Sequence, residues 1–247
     1  KLTEQDVFNT KEAERYLLLA DDLPGINVRL SLRPAAQGEP GDLIGEIAVV
    51  RQKAIAFANV QNFGSGAIGP FGATLQGEIY DLTGLGDSTS LTAFSTLDFT
   101  EQHTVQIGHE FAVGGEGLRL GGSLVFSTTN PDTGLAGLDV DSESFIASAY
   151  ASYPIQRTRS QSVFANAGFD IVNQTVDINN VGLTSDRVRT AYIRVDSEFI
   201  DPNSVSRIDG YTQYEPKYRF RYSAEVRQGF GVLPNTRDCR PDPQRRR

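Results

Sequence analysis

Residues 64–69 spell Gly-x-Gly-x-x-Gly after an alternating stretch, a spacing that lets a backbone turn tightly and approach a pyrophosphate. That chemistry needs a helix N-terminus next. Pro70-Phe71-Gly72 instead opens another alternating stretch, so the glycines read as a hairpin loop. Asp139, Asp141 and Glu143, with Asp132 nearby, offer the oxygens that calcium takes. The EF-hand pattern wants glycine where Ser144 stands, and a solvated acidic loop is the expectation. His103 and His109 are six residues apart, on one face of a strand, with no third ligand at metal spacing, and read as interfacial or loop histidines. There is no Gly-x-Ser-x-Gly elbow, and no serine stands with a histidine and an acid in a recognisable order. No catalytic residue, cofactor or metal site is therefore expected. Arg237, Arg240, Arg245, Arg246 and Arg247 face only Asp238 and Asp242, a solvated basic end in which Cys239 is a bystander.

The composition narrows the classes. With 39% hydrophobic residues in 247, the chain is not disordered. A net charge of −8 argues against nucleic acid as a partner, and a single cysteine excludes an internal disulfide framework. No apolar run approaches the ~18 residues of a membrane-spanning helix, and Lys1 begins no signal peptide. Methionine is absent, so the chain is expected to be a processed product or a fragment.

The first fifty residues read as α/β. Asn9 followed by Glu12 has the spacing of a helix N-cap with its returning carboxylate. Ala13, Leu17 and Ala20, with Tyr16 and Leu23 beside them, recur at helical intervals until Pro24-Gly25 ends the helix. Val28, Leu30 and Leu32 then alternate with Arg29, Ser31 and Arg33. A turn at Gly38 to Gly41 leads to a second alternation through Leu43, Gly45, Ile47 and Val49. About fifty residues make a poor core alone, so further structure upstream is expected.

From Lys53 to Leu233 about nine strand-like stretches follow, near 53–63, 69–80, 87–97, 102–112, 117–128, 144–154, 160–173, 187–199 and 216–230. Alternation alone does not separate a soluble β-sandwich from a membrane barrel. The length of the stretches favours the barrel, because roughly ten to twelve residues suit a tilted bilayer crossing while soluble strands average about five or six. Connections are also expected to alternate between short (Leu82 to Gly86, Gly114 to Glu116, Gln156 to Arg159) and long (Thr128 to Ser144, Gln174 to Asp186), as outer-membrane barrels require. Full charges on the polar face point the same way, being tolerable against water and costly against a second sheet.

Two segments then carry a family resemblance: LLLADDLPGINVRLSLRP (Leu17–Pro34) with GDLIGEIAVV (Gly41–Val50), and NVQNFGSGAIGPFGATLQGEIYDLTGLGDSTSL (Asn59–Leu91). The first resembles the second polypeptide-transport-associated (POTRA) domain of two-partner secretion transporters, the haemolysin secretion/activation proteins of the ShlB/FhaC/HecB type. The second is similar to the opening hairpins of that family's barrel. The resemblance implies a mainly β fold: the C-terminal part of a POTRA domain over 1–51, an incomplete antiparallel transmembrane β-barrel over 52–235, and a basic tail over 236–247. It implies no enzyme, but an outer-membrane transporter that recognises and secretes an unfolded exoprotein, with its N-terminal domain in the periplasm and its barrel against outer-membrane lipid. A barrel-assembly insertase of the same superfamily and a soluble β-sandwich binding module are the alternatives. The family's Arg-Gly-Phe/Tyr loop motif does not occur here. Val28, Arg29, Leu30, Ser31, Leu32 and Arg33 are the candidate exoprotein contacts, by strand addition. Tyr192, Arg194, Asp196, Arg219, Arg221, Glu225 and Arg227 are the candidate pore lining, with an inter-strand charge ladder as the plainer reading of the same residues. Nine strands alone would leave unpaired edges, so this length of chain is not expected to secrete by itself.

Overall fold

The structure is a computed structural model and describes residues 9–35, 42–135, 137–206 and 212–231. The expected turn at Gly38 to Gly41 and the basic tail over 236–247 with Cys239 lie outside the described residues.

Helix α1 (Thr10–Asp21) starts where Asn9 accepts hydrogen bonds from the backbone N–H of Lys11 at 3.1 Å and Glu12 at 3.3 Å. It stops before Gly25, whose φ of +68° only a glycine adopts without strain. Strands β1 (Ile26–Pro34) and β2 (Leu43–Arg51) form an antiparallel pair with Val28 opposite Val49 and Leu30 opposite Ile47, and α1 packs on β1.

The rest is one antiparallel sheet in chain order: β3 (Ala54–Gln61), β4 (Gly72–Tyr80), β5 (Ser88–Thr96), β6 (Gln102–Val113), β7 (Leu118–Thr129), β8 (Val140–Arg157), β9 (Gln161–Ile178), β10 (Val181–Ile200) and β11 (Arg219–Gly229). A short helix α2 (Pro202–Ser206) interrupts the last connection. Among the described residues β3 and β11 are edges and the sheet is not closed.

The period of two divides the side chains between a polar and an apolar face. The apolar face is bare: Leu75, Phe126, Ile193, Phe220 and Val226 are between 51% and 78% exposed. Among the described residues only Ala13 and Leu19 are buried hydrophobics, and no element is layered on the sheet. A β-sandwich would bury this face against a second sheet. That alternative does not describe the fold.

The apolar positions form a band. Val105–Val113 on β6, Leu118–Phe126 on β7, Phe145–Tyr153 on β8, Val163–Ile171 on β9, Ala191–Phe199 on β10, and Tyr218 just before β11 with Phe220–Val226 on it, each place five residues on this face, interrupted only by His109, Gly122 and Ser197. The windows are level from β6 to β8. Each later window then starts two residues nearer the turn end, with Ala191 opposite Phe169 and Val226 opposite Ile193. Six residues over five strand steps, two of them level, give a mean slope of about 40° at ~3.4 Å per residue and ~4.8 Å per strand. That is the tilt of strands in a membrane barrel, and at that tilt nine residues make a band about 23 Å tall, close to the ~25 Å such barrels present.

One expectation is corrected. Gln174 to Asp186 is not a long loop. Strands β9 and β10 continue to a two-residue turn at Asn179-Asn180, whose φ values of +50° and +60° match the twist of a tight hairpin. Connection lengths therefore do not alternate as expected, since the β10–β11 connection at the other end is long. What projects beyond the band is paired strand: β8, β9 and β10 run 18, 18 and 20 residues. The loop after β7 is also shorter than expected, because β7 reaches Thr129 and β8 begins at Val140.

Candidate functional site: grooves where the helix meets the sheet

Helix α1 and the β1–β2 pair sit at the end of the sheet where the β4–β5, β6–β7 and β8–β9 turns lie, and small residues there make room for them. Leu23 lies over Gly86 and Leu19 over Gly117, each too close for a Cβ on the glycine. Polar contacts surround these apolar ones. Arg157 grips Asp22 with two bonds of 2.7 Å, Glu14 accepts the backbone N–H of Arg159 at 3.0 Å, and Tyr16 donates to Glu116 at 2.9 Å.

The β4–β5 turn is held by Asp87, the last residue of the Gly-Leu-Gly-Asp segment. It is fully buried and accepts from the Thr83 hydroxyl at 2.5 Å and from the backbone N–H groups of Thr83, Leu82 and Leu85 at 2.9, 3.1 and 3.4 Å. Burial by itself raises the Asp87 carboxyl, but these bonds to its charged form outweigh that effect and hold it below its ordinary value.

Two connected grooves open beside this junction. The first, of about 560 Å³, has Leu17, Val28, Leu30 and Leu32 on one wall and Arg157, Arg159, Glu198 and Arg219 on the other. The second, of about 520 Å³, runs along the polar face past Phe164, Asp196, Arg221 and Ser223. Arg157, Ser162 and Glu198 line both.

The structure thus brings the two candidate sets together. Val28, Leu30 and Leu32 face the first groove with Arg219, and Arg221 and Asp196 face the second, whereas Arg29, Ser31 and Arg33 point to solvent. Strand β1 pairs only with β2 among the described residues, leaving its other edge open. Asp21 caps that edge at one point by accepting the Val28 N–H at 3.0 Å.

Tyr192, Arg194, Asp196, Arg219, Arg221, Glu225 and Arg227 all lie on the polar face, where ion pairs run within and between strands. Glu198 takes Arg219 at 2.5 Å and Arg221 at 2.7 Å, while Arg227 bridges Asp170 at 2.8 Å and Glu225 at 3.0 Å. Arg194 pairs with Asp196 at 2.8 Å, and Arg227 also lies over the Tyr192 ring, 5.0 Å from its centroid. Each of these charges has an opposite charge within reach, so none is left as a deep well for a single ion.

The sequence reading missed two features of this face. One row crosses the sheet as Glu110, Gly121, Tyr150, Gly168, Tyr192 and Arg227, and each tyrosine ring lies across its neighbouring glycine, about 2.5 Å from where a Cβ would stand. Tyr150 also donates to Glu110 at 2.8 Å. A second row on this side, Val125, Ile146, Val172 and Val188, is apolar throughout. The alternation of single strands gives the face of each residue, but only the register shows that these align.

The other sequence candidates do not gather. His103 and His109 lie on the apolar face, roughly 20 Å apart along β6 at ~3.4 Å per residue. His103 meets Ser95 Oγ at 3.0 Å and His109 meets Thr89 Oγ1 at 2.9 Å. The Gly64–Gly69 segment is the loop between β3 and β4, as expected. Among the described residues no three His, Cys, Asp or Glu side chains are grouped to hold a metal, those of the Asp139–Glu143 stretch included.

A tilted antiparallel meander with a bare apolar band, a charged opposite face and an α/β unit at its turn end is the wall of a β-barrel of the membrane type. Comparison with solved structures agrees on this fold. CdiB from Escherichia coli superposes with a TM-score of 0.72 over 92% of this chain at 12% identity, and CdiB from Acinetobacter baumannii with 0.64 over 92% at 17%. The chain spans about two fifths of the length of those proteins, 40% and 41%. A looser likeness, TM-score 0.41 at 10% identity over 89% of this chain and 48% of the other, is to BamA from Haemophilus ducreyi lacking POTRA domains 1–3. Neither a scan of protein-family models nor a search of curated proteins gave a match.

Proposed function

We propose that this chain is part of an outer-membrane transporter of the two-partner secretion kind, the kind to which CdiB belongs. In this reading residues 1–51 are the end of a POTRA domain in the periplasm, 52–235 are barrel strands against lipid, and the partner is an unfolded exoprotein such as a haemolysin or adhesin. The observation that carries the reading is the sloping apolar band, which no part of the described chain covers. Hydrocarbon is the solvent that makes such a face stable.

The two grooves give the path. An extended segment adds along the open edge of β1, with alternate side chains against Val28, Leu30 and Leu32, where main-chain bonds supply affinity without demanding one sequence. It then passes Arg157 and Glu198 onto the polar face. There the paired charges of β10 and β11 exchange partners with it and release it again. The path uses no catalytic residue and no cofactor. Photo-crosslinkers at Leu32 and at Ser223, in the membrane-inserted transporter, are expected to capture the same exoprotein in transit. Capture at neither position, in a protein whose band contacts lipid and which secretes its partner, would remove this path.

A further inference from the structure

Above the apolar band on β9 and β10, towards the loop end, stand two groups that can only donate, Arg187 and Arg189, and beside them the amide of Asn173. Arg189 is the first residue of the apolar face beyond the β10 window, and Asn173 is the first beyond the β9 window. Arg187 lies directly opposite Asn173. Arg189 is pinned to the wall: one guanidinium nitrogen donates to the carbonyls of Val172 at 3.1 Å and Val188 at 2.8 Å, and the other to Asn173 Oδ1 at 2.8 Å. Because a guanidinium only donates, the Asn173 oxygen is committed to it, and the Asn173 amide N–H groups remain available. Neither Arg187 nor Arg189 has a carboxylate partner among the described residues. The nearest acid in register on this face, Glu143, is on β8 opposite Thr175. The contrast with the polar face is plain, since there Arg194, Arg219, Arg221 and Arg227 each have a carboxylate partner.

We infer that Arg187, Arg189 and Asn173 form a seat for the phosphate of a lipid headgroup in the leaflet at the loop end. The position selects the ligand. One two-residue step beyond the hydrocarbon band is ~7 Å along the strand, which is where headgroup phosphates lie, and the acyl chains of the same lipid then fall against Ile171, Ala191 and Ile193. The chemistry agrees, because a planar guanidinium fork matches phosphate oxygens and is weakly hydrated. A phosphorylated lipid is favoured over free phosphate because the band beneath the seat holds its tails. The inference rests on the membrane reading above and adds to it a specific partner at a specific height on the wall.

The test uses the chain inserted into vesicles of a phosphate-free glycolipid, digalactosyldiacylglycerol, with a minor fraction of lipid A, a phosphorylated glycolipid, and reads lipid A association by quenching from a labelled lipid. Each arginine near an anionic surface contributes enough that neutralising both, as R187Q/R189Q, is expected to weaken association about thirtyfold. Dephosphorylated lipid A is expected to bind the unaltered chain as weakly as lipid A binds the variant. Equal binding by variant and unaltered chain, or of the two lipids by the unaltered chain, would overturn the seat. Displacement by soluble inorganic phosphate would overturn the choice of a lipid. A chain that does not enter vesicles at all would instead remove the membrane reading, and the seat with it.

Discussion

At the scale of single residues, two kinds of side chain hold the wall together. Asp87 satisfies the donors of a tight turn, and Asp87→Ala leaves them unmet, which is expected to cost about 2 kcal/mol in a denaturant titration. Its pH dependence follows from its lowered pKa. A carboxyl with a lower pKa folded than unfolded holds fewer protons in the native state, so its stabilisation is complete above the unfolded value of ~3.9 and is lost as pH falls through the folded one. Amide exchange at Leu82, Thr83 and Leu85 is expected to stay protected to lower pH than an ordinary aspartate would allow, and no acid sensitivity in that window would contradict it. The second kind is the tyrosine laid across a glycine. In Gly121→Ala the new methyl displaces the Tyr150 hydroxyl end and with it the bond to Glu110, whereas Gly168→Ala disturbs the Tyr192 ring and its exposed contact with Arg227. Hydrogen bonds to charged groups are worth ~1.5–3 kcal/mol and exposed cation–π contacts ~0.5–1, so Gly121→Ala is expected to be the more damaging in the same titration.

At the scale of elements, the faces decide what a substitution does. Leu124 is in the band and Ser123 is not, although they are neighbours on β7. Leu124→Arg is expected to lower stability in a bilayer by ~2–4 kcal/mol and Ser123→Arg by far less, measured by urea titration of vesicle-inserted protein. Comparable losses would mean that the faces are wrongly assigned. These elements were largely legible in the sequence. Each of the nine stretches coincides with one strand, although β8, β9 and β10 run beyond theirs, because period-two alternation is a local property, and the Asn9 cap and Gly25 stop of α1 are local as well. The Gln174–Asp186 hairpin was misread because Asn179-Asn180 resembles any polar loop until its positive φ values are known. Leu19, one of the two buried hydrophobics among the described residues, carries no local signal of its burial because Gly117, which it covers, lies about a hundred residues away in sequence. The candidate residues were legible in kind, but their convergence on one pair of grooves was not, since it depends on how α1 and β1 seat against the β8–β9 turn.

At the scale of the whole molecule, the Arg157–Asp22 pair joins the α/β unit to the sheet at the point shared by both grooves. A double-mutant cycle with R157Q and D22N is expected to show coupling of about 1 kcal/mol, with a longer spin-label distance between α1 and β8 in the single variants. An unchanged distance would mean that the apolar contacts at Gly86 and Gly117 alone fix the docking. The lipid-facing assignment governs everything else, and it is tested by placing a nitroxide at each position from Leu118 to Phe126 in the vesicle-inserted chain. Collisions with oxygen are predicted to peak at Leu120, Gly122 and Leu124, and collisions with a water-soluble nickel chelate at Arg119, Gly121 and Ser123. If the apolar positions are instead shielded from both reagents, another protein layer covers them and the wall is not a membrane wall.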